Sequence, residues 1–266
     1  MGGFEKILIV GCGNMGGAML AGWLAGGADP ARFTVVDPVL AQAPAGVELL
    51  RELPDRNFDA ILLGVKPQML GEVAPALAKL AGGGTVLLSI LAGVELQTLA
   101  ARFPDAGGVV RIMPNLSAAI GKSPIALASR GLDPAVAARI TALMQPLGTP
   151  EWIGEELFDA VTALAGSGPA FVYRFIDALA SGAAALGLPA DQAERLALAT
   201  VEGAGALASA SEHGPGELAR RVASPGGTTE AGLRVLDEDQ AVARLLAATL
   251  KAAADRSAEM ARAARG

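Results

Sequence analysis

The first half of the chain alternates short, uniformly apolar runs with stretches of helical spacing. Apolar runs at 6–10, 33–36, 60–63, 85–90, 109–113 and 124–128 predict strands, and 150–153 predicts a further short one. Between them, 14–26 carries Met15, Met19, Leu20 and Trp23 at helical intervals, and 68–80, 95–102 and 134–147 also read as helices. Strands alternating with helices predict a doubly wound parallel sheet covered on both faces, the Rossmann-type arrangement. Strands with no polar face fit burial on both sides. After residue 155 the strand signals stop. The segments 171–186, 191–209, 217–223, 228–236 and 240–262 are rich in Ala and Leu and read as helices. The expected organisation is an α/β domain over 1–158 followed by an all-α domain over 159–266.

Composition narrows the function. The chain has 266 residues, 52% of them hydrophobic, with mean hydropathy +0.43 and formal charge -6. Such a chain has the material for packed cores and is not disordered. It lacks the positive surplus that a nucleic-acid binder uses on phosphates. One Cys excludes an internal disulfide framework and points to a reducing, cytoplasmic setting. The longest uncharged apolar stretch, 80–94, is short and broken by Gly82, Gly83 and Gly84, so no membrane helix is expected. A first strand that starts at once, with Glu5 and Lys6, leaves no room for a signal peptide. With His213 as the single histidine, no His-rich metal site can form, and none is expected. An apolar excess beside only 18% charged residues points to surface buried between subunits.

The strongest motif is Gly11-Cys12-Gly13-Asn14-Met15-Gly16, between a strand and a helix. Gly11 permits a tight turn, Gly13 lets a pyrophosphate approach the backbone, and Gly16 lets the helix pack on its strand. The helix start then offers free N–H groups and a positive dipole end. The plainer reading is a glycine-rich turn without a ligand. Asp37 ends the second strand about twenty residues on, where a carboxylate can accept hydrogen bonds from the adenosine ribose and favour NAD over NADP. Arg51 could still reach a 2′-phosphate, so both cofactors stay open. Lys66 follows the third strand, at the sheet edge where such folds bind ligands, and is a candidate for cofactor or substrate. Cys12 reads as a small spacer in the loop, and Arg220 and Arg221 as a solvated face.

In the helical half, Ser224-Pro225-Gly226-Gly227-Thr228-Thr229 opens a helix. Its amides and hydroxyls can hold a small carboxylate, or it can be an ordinary capped start. His213 sits in a turn.

Taken together and in order, Gly11–Gly16, Val65-Lys66-Pro67-Gln68, Met113-Pro114-Asn115, Ala165-Gly166-Ser167-Gly168-Pro169-Ala170 and Ser224–Thr229 resemble the pyrroline-5-carboxylate reductase family over essentially the whole chain. The resemblance implies a Rossmann domain, a helical dimerisation domain whose dimers assemble further into decamers, and reduction of 1-pyrroline-5-carboxylate to L-proline by NADPH or NADH. It implies cofactor contacts from Cys12, Gly13, Asn14 and Met15, from Gly64, Val65 and Lys66, and from Ala92. The substrate carboxylate would lie at Ser224, Gly227, Thr228 and Thr229, with Glu155 and Thr162 lining the same pocket and Thr162 placed to hydrogen-bond the ring nitrogen. Leu116-Ser117 departs from the family's usual Thr-Pro.

Other readings use the same first half. A β-hydroxyacid dehydrogenase needs a base, usually a Lys on the first long helix of the second domain. Lys occurs here only at positions 6, 66, 79, 122 and 251. A related imine reductase would share most of the pattern. A dinucleotide sensor without catalysis would have no need of the 224–229 stretch.

Overall fold

The structure is a computed structural model and describes residues 3–265. Eight strands form one sheet: β1 (Ile7–Val10), β2 (Phe33–Val36), β3 (Glu48–Leu50), β4 (Ala60–Leu63), β5 (Val86–Ser89), β6 (Gly108–Met113), β7 (Ser123–Ser129) and β8 (Gly148–Trp152). Their order is β3-β2-β1-β4-β5-β6-β7-β8. The first six run parallel, with Ile9 opposite Val35 on one side and Leu62 on the other. The sheet is not parallel throughout. β7 pairs antiparallel with β6, and β8 runs with β7. The short connection from β6 to β7 explains the reversal, since a parallel return needs a long crossover.

Helices cover both faces. Successive residues of a strand point to opposite sides. Ile7 and Ile9 enter a core with Met19, Leu20 and Trp23 of α1 (Asn14–Ala25) and with Ile140 and Met144 of α4 (Pro134–Met144). Leu8 and Val10 enter the other core, with Leu77 of α2 (Leu70–Leu77) and Leu99 of α3 (Leu96–Arg102). Trp23 fixes the first face: its ring stacks on Phe33 at 5.4 Å, and its Nε1–H donates to the Leu143 carbonyl at 2.7 Å.

The chain divides into two units, one ending at Gly166 but rejoined by Ala252 onward, the other Ser167–Lys251. The texture of the sequence places the break earlier. Residues 158–166 are already helical, as α5 (Phe158–Val161) and a π-turn over Thr162–Gly166, yet they belong to the first unit. The last helix returns to that unit at its end, where Ser257 Oγ lies 2.6 Å from Asp159 Oδ1 and Ala261 is buried.

The second unit holds α6 (Gly168–Ala185), α7 (Ala190–Ala210), α8 (Pro215–Arg221), α9 (Thr228–Asp237) and the first part of α10 (Ala241–Arg265). Between residues 167 and 251 the buried residues are Ala193 and Ala197. Tyr173, Phe175, Leu198, Leu207 and Val235 are exposed. An apolar helical surface this open marks an interaction face.

Candidate active site

The strand order reverses between β1 and β4, and ligands of open α/β sheets bind outside the carboxyl ends of the strands at such a point. Here two glycine turns meet backbone to backbone. Gly11 has φ +86, and a Cβ on it would lie 2.8 Å from the Val65 nitrogen; a Cβ on Gly64 would lie 2.7 Å from the Gly11 oxygen. Gly16 packs equally close, with a Cβ reaching 2.7 Å from the Gly11 oxygen. Gly13 differs: a Cβ there meets nothing within 4 Å. Gly11 and Gly16 are small for the protein's own packing, whereas the space at Gly13 is free for another molecule. Gly13 also caps α1 without any side-chain hydrogen bond, and no acidic residue occupies the first turn with Asn14 and Met15. These residues fit a pyrophosphate.

Asp37 lies at the end of β2 and is buried. Its Oδ2 accepts the Cys12 N–H at 2.9 Å, and its Oδ1 accepts Val39 N–H and Leu40 N–H, each at 2.9 Å. Arg51 donates through Nη1 to the carbonyls of Asp37 and Leu40. Burial alone would raise the carboxyl's pKa, but the three amides and Arg51 outweigh it and hold the group below its ordinary value. Burial, and then the Asp37 charge, push the Cys12 thiol up, so it stays protonated and non-nucleophilic.

The other expected residues of this unit line the same sheet edge. Gly64, Val65 and exposed Lys66 follow β4. Half-buried Ala92 follows β5, on the wall of a ≈480 Å³ cleft with Pro67, Gln68 and Gly93. After β6, Asn115 is buried; its Nδ2 donates to the Ala165 carbonyl at 2.9 Å, and its Oδ1 accepts Ser117 N–H. That pins the π-turn to the end of β6. A π-turn is a recurrent marker of functional positions. Thr162 opens it, and its Oγ1 donates to the Phe158 carbonyl at 2.7 Å.

Glu155 sits differently from a free pocket carboxylate. Its Oε1 accepts Leu96 N–H at 2.6 Å and Arg111 Nη1–H at 2.9 Å. Arg111 is buried, with its guanidinium 4.1 Å above the Phe158 ring. Sequence reading missed Arg111, because a cation inside an apolar strand looks like an interruption until its partner 44 residues away is seen.

In the helical unit, Gly227 caps α9 with no side-chain hydrogen bond. Gly226 has φ +70, its N–H donates to Glu230 Oε2 at 2.8 Å, and Gly227 N–H donates to the Ser224 carbonyl at 2.9 Å. These two bonds tie the loop together, and Thr228 and Thr229 stand in the first turn, which has no side-chain cap. His213 lies in the turn before α8, with Nε2 3.8 Å from Glu212. Among the described residues, no cluster of His, Cys, Asp or Glu could hold a metal, and no helix is long and apolar enough to cross a membrane.

A family model described as pyrroline-5-carboxylate reductase dimerisation matches residues 155–260, and one described as NADP oxidoreductase, coenzyme F420-dependent, matches residues 6–93. The pyrroline-5-carboxylate reductase of Pseudomonas aeruginosa is 35% identical over 96% of this chain and 97% of its own length. The chain belongs to the pyrroline-5-carboxylate reductase family. Its relative of the same name from Aquifex aeolicus is 37% identical over 88% of this chain and 89% of its own. A solved pyrroline-5-carboxylate reductase from Coxiella burnetii superposes with TM-score 0.90 at 29% identity, covering 97% of this chain and 98% of that one. The protein is thus an NAD(P)H-dependent oxidoreductase of proline biosynthesis that reduces 1-pyrroline-5-carboxylate. Its Rossmann-type sheet domain and its helical dimerisation domain are the two parts this family's chemistry requires.

Proposed function

We propose that Gly11–Gly16, Gly64–Lys66 and Ala92 hold the dinucleotide, and that Ser224 and Gly227–Thr229 hold the carboxylate of 1-pyrroline-5-carboxylate, with L-proline as product. The observation that carries this division is the contrast between two uncapped helix starts. One lies at the open space of Gly13, and the other carries Thr228 and Thr229 in its first turn. Each presents unspent N–H groups to an anion.

The dinucleotide that these residues would hold would, in its reduced form, supply the hydride for the imine carbon. The imine nitrogen is basic and enters protonated, so the carbon is electrophilic without a strong acid from the protein. Thr162 suits this demand. Its hydroxyl proton is engaged by the Phe158 carbonyl, which leaves its lone pairs to accept the ring N–H. Glu155 serves the pocket indirectly, by holding Leu96 and Arg111. A ring held in one orientation toward the hydride donor gains a large part of its rate from that orientation alone. Fixed orientation also explains how a chain with one turn-located histidine runs the reaction.

The open apolar faces of the helical unit are covered by a second copy, giving a homodimer that assembles further into a decamer. One unbridged cysteine suits work in the cytoplasm. The decisive assay follows oxidation of NADH and NADPH with 1-pyrroline-5-carboxylate, and then repeats it with Thr229→Val. A raised KM with unchanged nucleotide affinity supports the assignment of the carboxylate site. Unchanged KM removes it. Light scattering reads the assembly.

A further inference from the structure

We infer that Asp37 makes this chain prefer NADH over NADPH, because its carboxylate occupies the place and uses the donors that a 2′-phosphate would need. The inference rests on the dinucleotide reading of the Gly11–Gly16 loop. An acidic residue at this strand end faces the adenosine ribose in dinucleotide-binding sheets, and NADP-binding variants supply donors and a cation there instead.

Three features of this chain disfavour the phosphate. The first is the backbone. Val39 N–H and Leu40 N–H, the first two main-chain donors after β2 beyond Pro38, both donate to Asp37 Oδ1. The Cys12 N–H of the glycine loop is likewise spent on Oδ2. The carboxylate thus sits where a phosphate oxygen would be cradled. The second is the side-chain inventory. Residues 38–47 contain no Lys, Arg, Ser or Thr, and Val39 presents an exposed isopropyl group. The third is the one cation nearby. Arg51 is the single Lys or Arg between residues 33 and 55, and its Nη1 is fixed on the carbonyls of Asp37 and Leu40. It lies close enough to the Asp37 carboxylate to help keep it ionised. A dianionic phosphate would meet the Asp37 carboxylate at close range, which is repulsive, beside a guanidinium whose Nη1 is already held by two carbonyls. A ribose hydroxyl, in contrast, can donate to the lone pair left on Oδ2.

Isothermal titration of the purified protein with NAD+ and NADP+, without substrate, tests this directly. The expected result is NAD+ binding at least about tenfold tighter than NADP+. Asp37→Ser releases the amides of Val39 and Leu40 and the charge of Arg51, and it is expected to bring the ratio to parity or below. Should that loop fail to hold its shape, Asp37→Asn keeps an acceptor for the two amides while removing the charge, and it should shrink the ratio in the same direction. Wild-type binding of NADP+ as tight as NAD+, or a ratio unmoved in both variants, overturns the inference and leaves the dinucleotide site standing. Failure of the wild type to bind either nucleotide overturns both.

Discussion

Asp37 Oδ2 accepts a hydrogen bond from Cys12 N–H at 2.9 Å, tying the end of β2 to the middle of the glycine loop. The same carboxylate closes the turn that follows β2 through Val39 and Leu40. One buried charge therefore holds two loops, and its protonation should release both. The folded pKa lies below the ordinary 3.8, so the stabilisation is complete above that pH and is lost as pH falls through the lower, folded value. Amide exchange at Cys12, Val39 and Leu40, normalised to intrinsic rates, is expected to lose protection below 3.8 before the strands do. Uniform loss across the sheet would mean that the carboxylate has no local role.

The glycines of the loop should separate stability from binding. Gly11→Ala places a Cβ 2.8 Å from the Val65 nitrogen at φ +86. A loss of about 1–3 kcal/mol in urea unfolding is expected. Gly13→Ala meets no protein atom within 4 Å, so its melting temperature should stay close to wild type while nucleotide affinity falls. A Gly13→Ala protein with full affinity would show that no ligand passes over that residue.

Removing Glu155 should act on folding more than on the substrate. Arg111 is buried, and Glu155 is the carboxylate it pairs with. Breaking a buried pair from one side typically costs about 3–5 kcal/mol, and Glu155 is partly exposed, so Glu155→Ala is expected near the lower end, with Glu155→Gln milder. Denaturant titration beside steady-state kinetics distinguishes the roles. A large rise in KM at unchanged stability would instead give Glu155 direct contact with the substrate.

Thr162→Val keeps the shape of the side chain and removes the hydroxyl. Turnover should fall by about tenfold or more, with nucleotide affinity intact, and Thr162→Ser should recover most of it. Equal turnover in wild type and Thr162→Val, across pH, would exclude Thr162 from the reaction.

Much of this molecule is legible before folding. The strands at Phe33–Val36 and Ala60–Leu63 fall where the apolar runs predict them. A strand buried on both faces must be apolar throughout, and the turn at Gly11 must be glycine. β3 escaped, because Glu48–Leu50 is a short edge strand with no apolar run. The π-turn at Thr162–Gly166 escaped for a different reason. Its sequence is ordinary helix, and it takes its shape from Asn115, which bonds the Ala165 carbonyl across 50 residues.

By itself the sequence determined what depends on neighbours along the chain: the alternating β/α order, the glycine loop and its helix, the change to Ala-rich helices, and the family motifs. Tertiary structure alone decided what depends on distant residues meeting. It reversed β7 against β6, joined Arg111 to Glu155, carried the end of α10 back onto the first unit, and spent the Asp37 carboxylate on three backbone amides. Local periodicity is set by which face of an element is buried. A charge's role is set by which donors reach it, and no spacing along the chain records that.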